Sequence, residues 1–125
     1  MEQNMVGWFE IPVLDMNRAK EFYERVFDIE IGIHELGEFI MGWFPSDHSK
    51  PGASGSLVQH QMYKPSATQG PLVYFACEDL ANEISKIEPS GGTVLQQKTE
   101  IGGGHGYSAL FIDSEGNRIA LHSGK

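Results

Sequence analysis

Hydrophobic and polar positions in the first half of the chain predict a strand followed by a helix. An apolar run over residues 6–13 ends at the acidic residue Asp15. Apolar residues then recur at three- and four-residue spacing, at Ala19, Phe22, Tyr23 and Val26. That spacing is typical of one helical face, and an aspartate directly before it is typical of a helix N-cap. We therefore expect a helix over residues 15–26.

The second half repeats this pattern. The apolar run 72–77 leads to Asp79, and a helical stretch containing Ile84 and Ile87 follows. Such a repeat indicates two copies of one supersecondary unit, because neither copy alone could bury its apolar sheet face. We expect function to lie where the two copies meet.

The other elements follow from β-forming runs between turn residues. Strands are predicted at 6–13, 29–34, 38–44, 56–62, 71–77, 93–98, 106–112 and 118–123, and the second helix at 79–88. Pro12 indicates a strand at a sheet edge, because proline donates no ladder hydrogen bond. The sequence thus predicts an α+β protein with a single domain over 1–125. Module one is 1–63, a linker rich in Pro, Ser, Thr and Gly covers 64–70, and module two is 71–125.

Composition narrows the classes of partner. The 125 residues carry a net charge of −8 and a mean hydropathy of −0.28. This balance argues against nucleic acid or an anionic membrane as partner, since no basic patch is present. No apolar stretch reaches membrane-spanning length, and the polar start of the chain lacks the pattern of a signal peptide. Cys77 is the single cysteine and is expected to be a buried small hydrophobe, so we predict a cytoplasmic protein without an intrachain disulfide.

Three groups of residues resemble one known superfamily. They are residues 8–23, residues 72–79 with the glycines at 91 and 92, and the acidic-Gly-Asn turn and strand over 113–121. Together they resemble the vicinal oxygen chelate superfamily, which includes glyoxalase I, extradiol dioxygenases and the fosfomycin and bleomycin resistance proteins. The resemblance implies paired βαβββ modules forming a curved mixed sheet around a cleft, within one chain or between chains of a swapped dimer. In metal-using members an ion in that cleft takes ligands from both modules and acts as a Lewis acid.

The positions that carry metal ligands in the family hold other residues here. Trp8 stands where the resemblance implies His or Gln, Leu72 where it implies His, and Ala120 where it implies Glu. The fourth position falls near Ser56. Trp, Leu and Ala have no side-chain donor for a divalent ion, and one serine is a poor site. We therefore expect no metal at the family's position and no cofactor.

A displaced metal site stays open as an alternative. Glu10 and His122 each stand two residues beyond a lost ligand position, and His60 shares a strand face with Ser56 if that strand is regular. These three residues could form such a site. Alternatively, Glu10 pairs with a cation, for which Arg118 is the candidate, and His122 is solvated.

Strand periodicity also predicts which side chains face the cleft. These are Trp8, Glu10, Ser56, Val58, His60, Leu72, Tyr74, Ala76, Tyr107 or Ala109, Ala120 and His122. The set mixes aromatic, small and polar groups, as ligand pockets do, although the same residues could simply fill a core.

Three functions follow as hypotheses. The first is a metal-free protein that binds a small organic ligand between apolar walls at Trp8 and Tyr74, with Glu10 as polar anchor. The second is a metal-dependent lyase or isomerase of the glyoxalase class with a displaced site, and the third is an accessory subunit. No catalytic residue is assigned. We also expect a homodimer, because each module has a strand edge to cover.

Overall fold

Two modules with the same order of elements make up the protein. The computed structural model describes residues 2–125. Module one contains β1 (Phe9–Pro12), α1 (Met16–Phe27), β2 (Gly32–Leu36), β3 (Phe39–Trp43) and β4 (Gly55–Gln59). Module two contains β5 (Tyr74–Cys77), α2 (Leu80–Ile87), β6 (Thr93–Glu100), β7 (Tyr107–Ile112) and β8 (Arg118–Ser123). The prediction of two βαβββ modules is confirmed, and none of the helices in residues 2–125 is long and apolar enough to span a membrane.

Both helices begin where the sequence predicts. The Asp15 carboxylate accepts a hydrogen bond from the Arg18 amide at 3.1 Å, and Asp79 caps α2 through the Ala81 amide at 3.0 Å. Each cap satisfies an amide that has no partner within its helix. Helix α1 ends at Asp28, whose φ of 53° lies in the left-handed region.

Each module folds its four strands into one mixed sheet. The strand order is β1-β4-β3-β2 in the first sheet and β5-β8-β7-β6 in the second. In both sheets the first and last strands of the module run parallel and the other pairs are antiparallel. Pro12 lies in the edge strand β1, as expected from its missing amide hydrogen.

Several strand boundaries differ from the prediction, and three of the differences affect candidate site residues. Strands β1 and β5 start at Phe9 and Tyr74, so Trp8 and Leu72 lie just before them. Strand β4 ends at Gln59, so His60 lies beyond it.

One hydrophobic core joins the two modules through their helix-facing sides. It contains α1, α2 and the sheet residues that face them, among them Ile11 and Leu57 of the first sheet and Phe111 and Leu121 of the second. Aromatic rings cross between modules, with Phe9 and Phe75 5.7 Å apart and Phe22 and Phe111 6.0 Å apart. The opposite faces of the two sheets do not take part in these contacts. We call these the open faces.

The turn between β7 and β8 fastens module two to module one. The buried Asp113 carboxylate accepts a hydrogen bond from the Tyr23 hydroxyl of α1 at 2.6 Å. It also accepts from the amides of Glu115 and Asn117 within the turn. The Asn117 side chain in turn donates to the Pro12 carbonyl at 2.7 Å. Buried polar groups are thereby partnered across the junction between the modules.

Glu115 completes this junction. Its carboxylate accepts hydrogen bonds from the amides of Leu14 and Asp15, both at 2.8 Å, and from the Arg18 guanidinium at 2.7 Å. Burial would raise the pKa of Glu115, but these donors outweigh burial and hold it below its usual value. Asp113 differs, because burial outweighs its donors and raises its pKa.

Candidate functional site

The open face of the first sheet carries a row of polar and aromatic side chains across three strands. Glu10 of β1 is the register partner of Ser56 of β4, which is the partner of Trp43 of β3. Partners in adjacent strands project from the same face, so these three side chains are neighbours. Pro12, Val58 and Met41 form the next row in the same order.

Exposed aromatic rings dominate this face. Trp8 and Trp43 meet edge to face with ring centroids 6.2 Å apart, and they are 44% and 40% exposed. The His34 ring lies against Trp43 with centroids 4.0 Å apart. Large apolar surface left uncovered on a sheet is typical of a binding or association surface.

Trp43 and His34 are site residues that the sequence analysis missed. The strand 38–44 was predicted, but its register with the strand holding Ser56 is not readable from a single sequence. The only signal in the sequence was that Trp43 alternates with Phe39 and Met41 along the predicted strand.

Glu10 has a hydroxyl partner rather than the cation suggested from sequence. Its side chain is exposed, and one of its oxygens accepts a hydrogen bond from the Tyr63 hydroxyl at 2.8 Å. This bond raises the pKa of Tyr63. Arg118, the cation suggested from sequence, lies in the second sheet, and Glu10 forms no ion pair with it within residues 2–125.

Ser56 is the opposite case, a buried polar group without a partner. The residue is 0% exposed although it lies on the open face between Glu10 and Trp43. Its hydroxyl finds no hydrogen-bond partner among residues 2–125. Most buried hydroxyl groups are hydrogen-bonded, so this orphaned group calls for an explanation.

The open face of the second sheet holds the remaining predicted positions, with fewer polar groups. Tyr74 is 56% exposed and pairs in register with the buried Ala120, and Ala76 pairs with His122. The His122 Nε2 atom lies 2.8 Å from the His105 carbonyl oxygen. A carbonyl only accepts, so the ring nitrogen donates and His122 ties its strand to the glycine-rich loop before β7.

Tyr107 and Ala109 lie on the other side of the second sheet. Tyr107 pairs with Ser123 and Ala109 with Leu121, which places both on the helix-facing side. The Lys98 Nζ atom sits over the Tyr107 ring, 4.6 Å from its centroid. Ser108 and Leu110 occupy the open-face positions instead, because a shift of one residue reverses every side chain of a strand.

The three residues of the displaced metal site do not assemble within the chain. His60 stacks on Phe39 at 4.2 Å, its Nε2 atom is 3.5 Å from Glu38, and its Nδ1 atom accepts from the Met62 amide at 3.0 Å. Across residues 2–125, no three His, Cys, Asp or Glu side chains come close enough together to hold a metal ion.

The family's own metal position also lacks a suitable donor set. Trp8, Leu72 and Ala120 offer no oxygen, nitrogen or sulfur ligand of the kind that binds a divalent ion. The Ser56 hydroxyl is the one polar side-chain group at the four positions, and it is alone. The residues present do not fit a metal centre.

The two open faces remain separate within one chain. Among the described residues, no hydrogen bond or ring contact joins the set around Trp8 and Glu10 to the set around Tyr74 and His122. Two surface hollows lie elsewhere, one of about 400 Å³ beside the start of α1 and one of about 650 Å³ between α2 and β6. The described residues of one chain therefore do not form the predicted cleft as one enclosed pocket.

Paired βαβββ modules with a curved sheet face in each define the glyoxalase-like class of proteins. A sequence profile of the Glyoxalase/Bleomycin resistance protein/Dioxygenase superfamily matches residues 5–121. The chain belongs to this superfamily.

Three relatives illustrate how far the similarity extends. A putative glyoxylase, CFP32, of Mycobacterium bovis is 24% identical over 95% of this chain, and the chain spans 45% of its length. Glyoxalase I from Zea mays superposes with a TM-score of 0.69 at 15% identity over 94% of this chain and 45% of the other. TnmS3, an antibiotic binding protein from Streptomyces sp. CB03234, superposes with a TM-score of 0.65 at 23% identity over 98% of both chains. The structural likenesses establish the fold, and the chain spans about half the length of the curated relatives it matches.

Proposed function

We propose that this protein binds a small organic molecule on its open sheet faces without using a metal. The observation that carries the proposal is the row formed by Trp8, Trp43, Glu10 and the unpartnered Ser56. These residues combine aromatic surface with hydrogen-bonding groups, as small-molecule sites do, and Trp8 and Ser56 stand at or near positions that carry metal ligands in the family. TnmS3, which has the same fold and superposes over 98% of both chains, is described as an antibiotic binding protein.

A homodimer is the second part of the proposal. The open face of the first sheet of one copy would lie against the open face of the second sheet of its partner. Trp8 and Tyr74 are exposed at edge strands or directly beside them, and edge strands with apolar side chains favour association. A two-fold axis would then make two equivalent sites, each walled by Trp8 and Trp43 from one copy and Tyr74 from the other.

The partner class and the location follow from charge and composition. A net charge of −8 favours a neutral or cationic small molecule over nucleic acid or an anionic membrane. The single cysteine fits a cytoplasmic setting, where disulfides are rare.

Ligand binding is tested by fluorescence, since Trp8 and Trp43 are the only tryptophans in the chain. Titration with a panel of small aromatic amines and phenols is expected to give saturable changes in emission. A flat response across the panel, with an unchanged melting temperature at saturating concentrations, contradicts the proposal.

The metal-free part of the proposal is tested separately. A chelator is expected to leave the melting temperature unchanged, since only a bound species that prefers the native state raises it. About one equivalent of a divalent metal per chain, lost on Glu10→Ala or His122→Ala substitution, would revive the displaced-site lyase.

The oligomeric state is tested by light scattering at micromolar concentration. A dimer mass is expected for the unmodified chain and a monomer mass for Tyr74→Asp, because a charge would be buried at the interface. Glu88→Gln, on the exposed end of α2, serves as the control. A monomer mass for the unmodified chain contradicts the dimer.

A further inference from the structure

We propose that the ligand of the Trp8–Trp43 face is a protonated amine carried on a small aromatic or aliphatic body. This inference rests on the binding function proposed above and adds the chemical class of the ligand. It is argued from four groups on the open face of the first sheet: two tryptophan rings, one carboxylate and one buried hydroxyl.

The rings favour a cation. Trp8 and Trp43 meet edge to face, so each presents part of a negatively polarised ring face to the open side. Indole is the best of the aromatic side chains at attracting a positive charge placed over its face. Among residues 2–125, the one aromatic ring that has a lysine or arginine over its face is Tyr107, which Lys98 contacts in module two. No lysine or arginine of these residues lies over Trp8 or Trp43. The His34 ring covers part of Trp43, with centroids 4.0 Å apart, so an external cation would approach the parts of Trp8 and Trp43 that remain exposed.

The carboxylate supplies matching charge. Glu10 shares the face with Trp8, two residues earlier in the chain, and neighbours Ser56 across the strand pair. One carboxylate oxygen accepts from the uncharged Tyr63 hydroxyl, and no lysine or arginine neutralises Glu10 within residues 2–125. An anionic ligand would meet repulsion here, whereas a cation would gain a charge-assisted hydrogen bond.

Ser56 specifies an amine with N–H groups rather than a bare cation. Its buried hydroxyl accepts no hydrogen bond from residues 2–125, although Glu10 and Trp43 flank it. An ammonium that enters between the indoles could donate to the Ser56 Oγ atom and to Glu10 together. Because Ser56 is fully buried, the side chains that cover it must move to admit the ligand. Trp43 is its register partner, so we expect this movement to change tryptophan emission.

The experiment compares four probes that each carry a phenyl ring on a two-carbon chain, by tryptophan fluorescence at neutral pH. They are 2-phenylethylamine, its trimethylammonium derivative, 2-phenylethanol and phenylacetate. We expect the amine to bind about tenfold more tightly than the alcohol, and phenylacetate to bind weakest. The trimethylammonium probe keeps the charge but has no N–H group, so we expect it to lie between the amine and the alcohol.

Two substitutions separate the contributions of the individual groups. Glu10→Gln is expected to reduce the preference for amine over alcohol about tenfold, whereas Glu88→Gln, which makes the same charge change on α2, leaves it unaltered. Ser56→Ala is expected to weaken the primary amine several-fold and to leave the trimethylammonium probe unaffected.

The outcomes distinguish the assignment of an amine ligand from the small-molecule binding on which it rests. Equal affinity for amine and alcohol, unchanged by Glu10→Gln, overturns the amine assignment while the binding function stands. If none of the four probes and no member of the wider aromatic panel alters the emission, both fail. A loss of amine preference in Glu88→Gln as large as in Glu10→Gln would show that net charge, not this face, governs binding.

Discussion

Ser56 and Asp113 are both buried polar residues, and they differ in how they are satisfied. Asp113 lies at the junction of the modules and accepts hydrogen bonds from Tyr23, Glu115 and Asn117. Ser56 lies on the open face of the first sheet and accepts none among residues 2–125. A partnered buried group stabilises the fold, whereas an orphaned one costs stability. The contrast separates a junction built for stability from a face that is left incomplete, as binding sites often are.

The largest expected effect is at the junction. Asp113→Ala leaves the buried Tyr23 hydroxyl and the donors from the turn without an acceptor, so we expect the free energy of unfolding to fall by about 3–5 kcal/mol. Urea unfolding followed by circular dichroism measures the change. Asp47→Ala in the exposed loop is the control, with an expected loss below about 1 kcal/mol. If both substitutions lower the free energy of unfolding by the same amount, the junction does not stabilise the fold in this way.

Glu115 tests the electrostatic part of the junction. At pH 7 we expect Glu115→Gln to lower the free energy of unfolding by about 2 kcal/mol, because Arg18 and two amides lose a charged acceptor. The folded pKa of Glu115 lies below its usual 4.5, so its contribution is present above that pH and is lost as pH falls through the folded value.

The difference between Glu115→Gln and the unmodified protein should therefore shrink below about pH 4.5. Asp113 acts with the opposite sign, since its raised pKa favours the protonated form in the folded state, but both proteins contain it. A difference that stays constant from pH 7 to pH 3 would rule out the ionic contribution of Glu115.

Two buried serines allow the same comparison of a partnered and an unpartnered group, with smaller expected changes in stability. Ser56→Ala removes an orphaned hydroxyl, so we expect the free energy of unfolding to rise by about 1 kcal/mol. Ser123 is equally buried, but its hydroxyl accepts from the Leu80 amide and donates to the Lys125 carbonyl. Ser123→Ala should therefore lower the free energy of unfolding by about 1 kcal/mol. Thermal and urea unfolding of both variants decide the point, and two changes of the same sign would contradict it.

A last prediction concerns the reactivity rather than the stability of the protein, at Cys77, a half-buried polar group beside the core. Burial, with the nearby Glu83 carboxylate, raises the pKa of its thiol to about 12. The thiolate is the reactive form, so at pH 8 a disulfide reagent should react more than about a hundredfold more slowly with the folded than with the urea-unfolded chain. Comparable rates would show that the thiol is accessible and its pKa near normal.

Local sequence patterns were sufficient to predict the helices and to assign several candidate site residues to a strand face. The capping aspartates and the helical spacing predicted both helices, because these signals act within a few residues of one another. Glu10, Ser56 and Val58 were placed on one face by alternation along two strands, and the register agrees with that arrangement, whereas Trp8 lies before β1 and outside the register. Tyr74 and Ala120 were likewise placed together in the second module.

Register and exposure were not available from the sequence. Tyr107 was assigned to the wrong face because a one-residue shift in pairing reverses a strand, and Trp43 was missed because its partner strand could not be aligned. Glu10 pairs with Tyr63 rather than with Arg118, because its partner depends on the packing of segments that are distant in the chain.

The sequence by itself determined the repeat, the helix starts, the superfamily and the absence of donor side chains at the usual metal positions, since all of these are local or positional properties. Only the tertiary structure decided that the modules meet through their helix-facing sides, that Asp113 and Glu115 join them, and that Ser56 lies unpartnered beside two tryptophans. Those facts depend on contacts between residues as much as a hundred positions apart, such as Glu115 with the Asp15 amide. Such contacts are set by the packing of whole elements, which no short segment of the chain specifies.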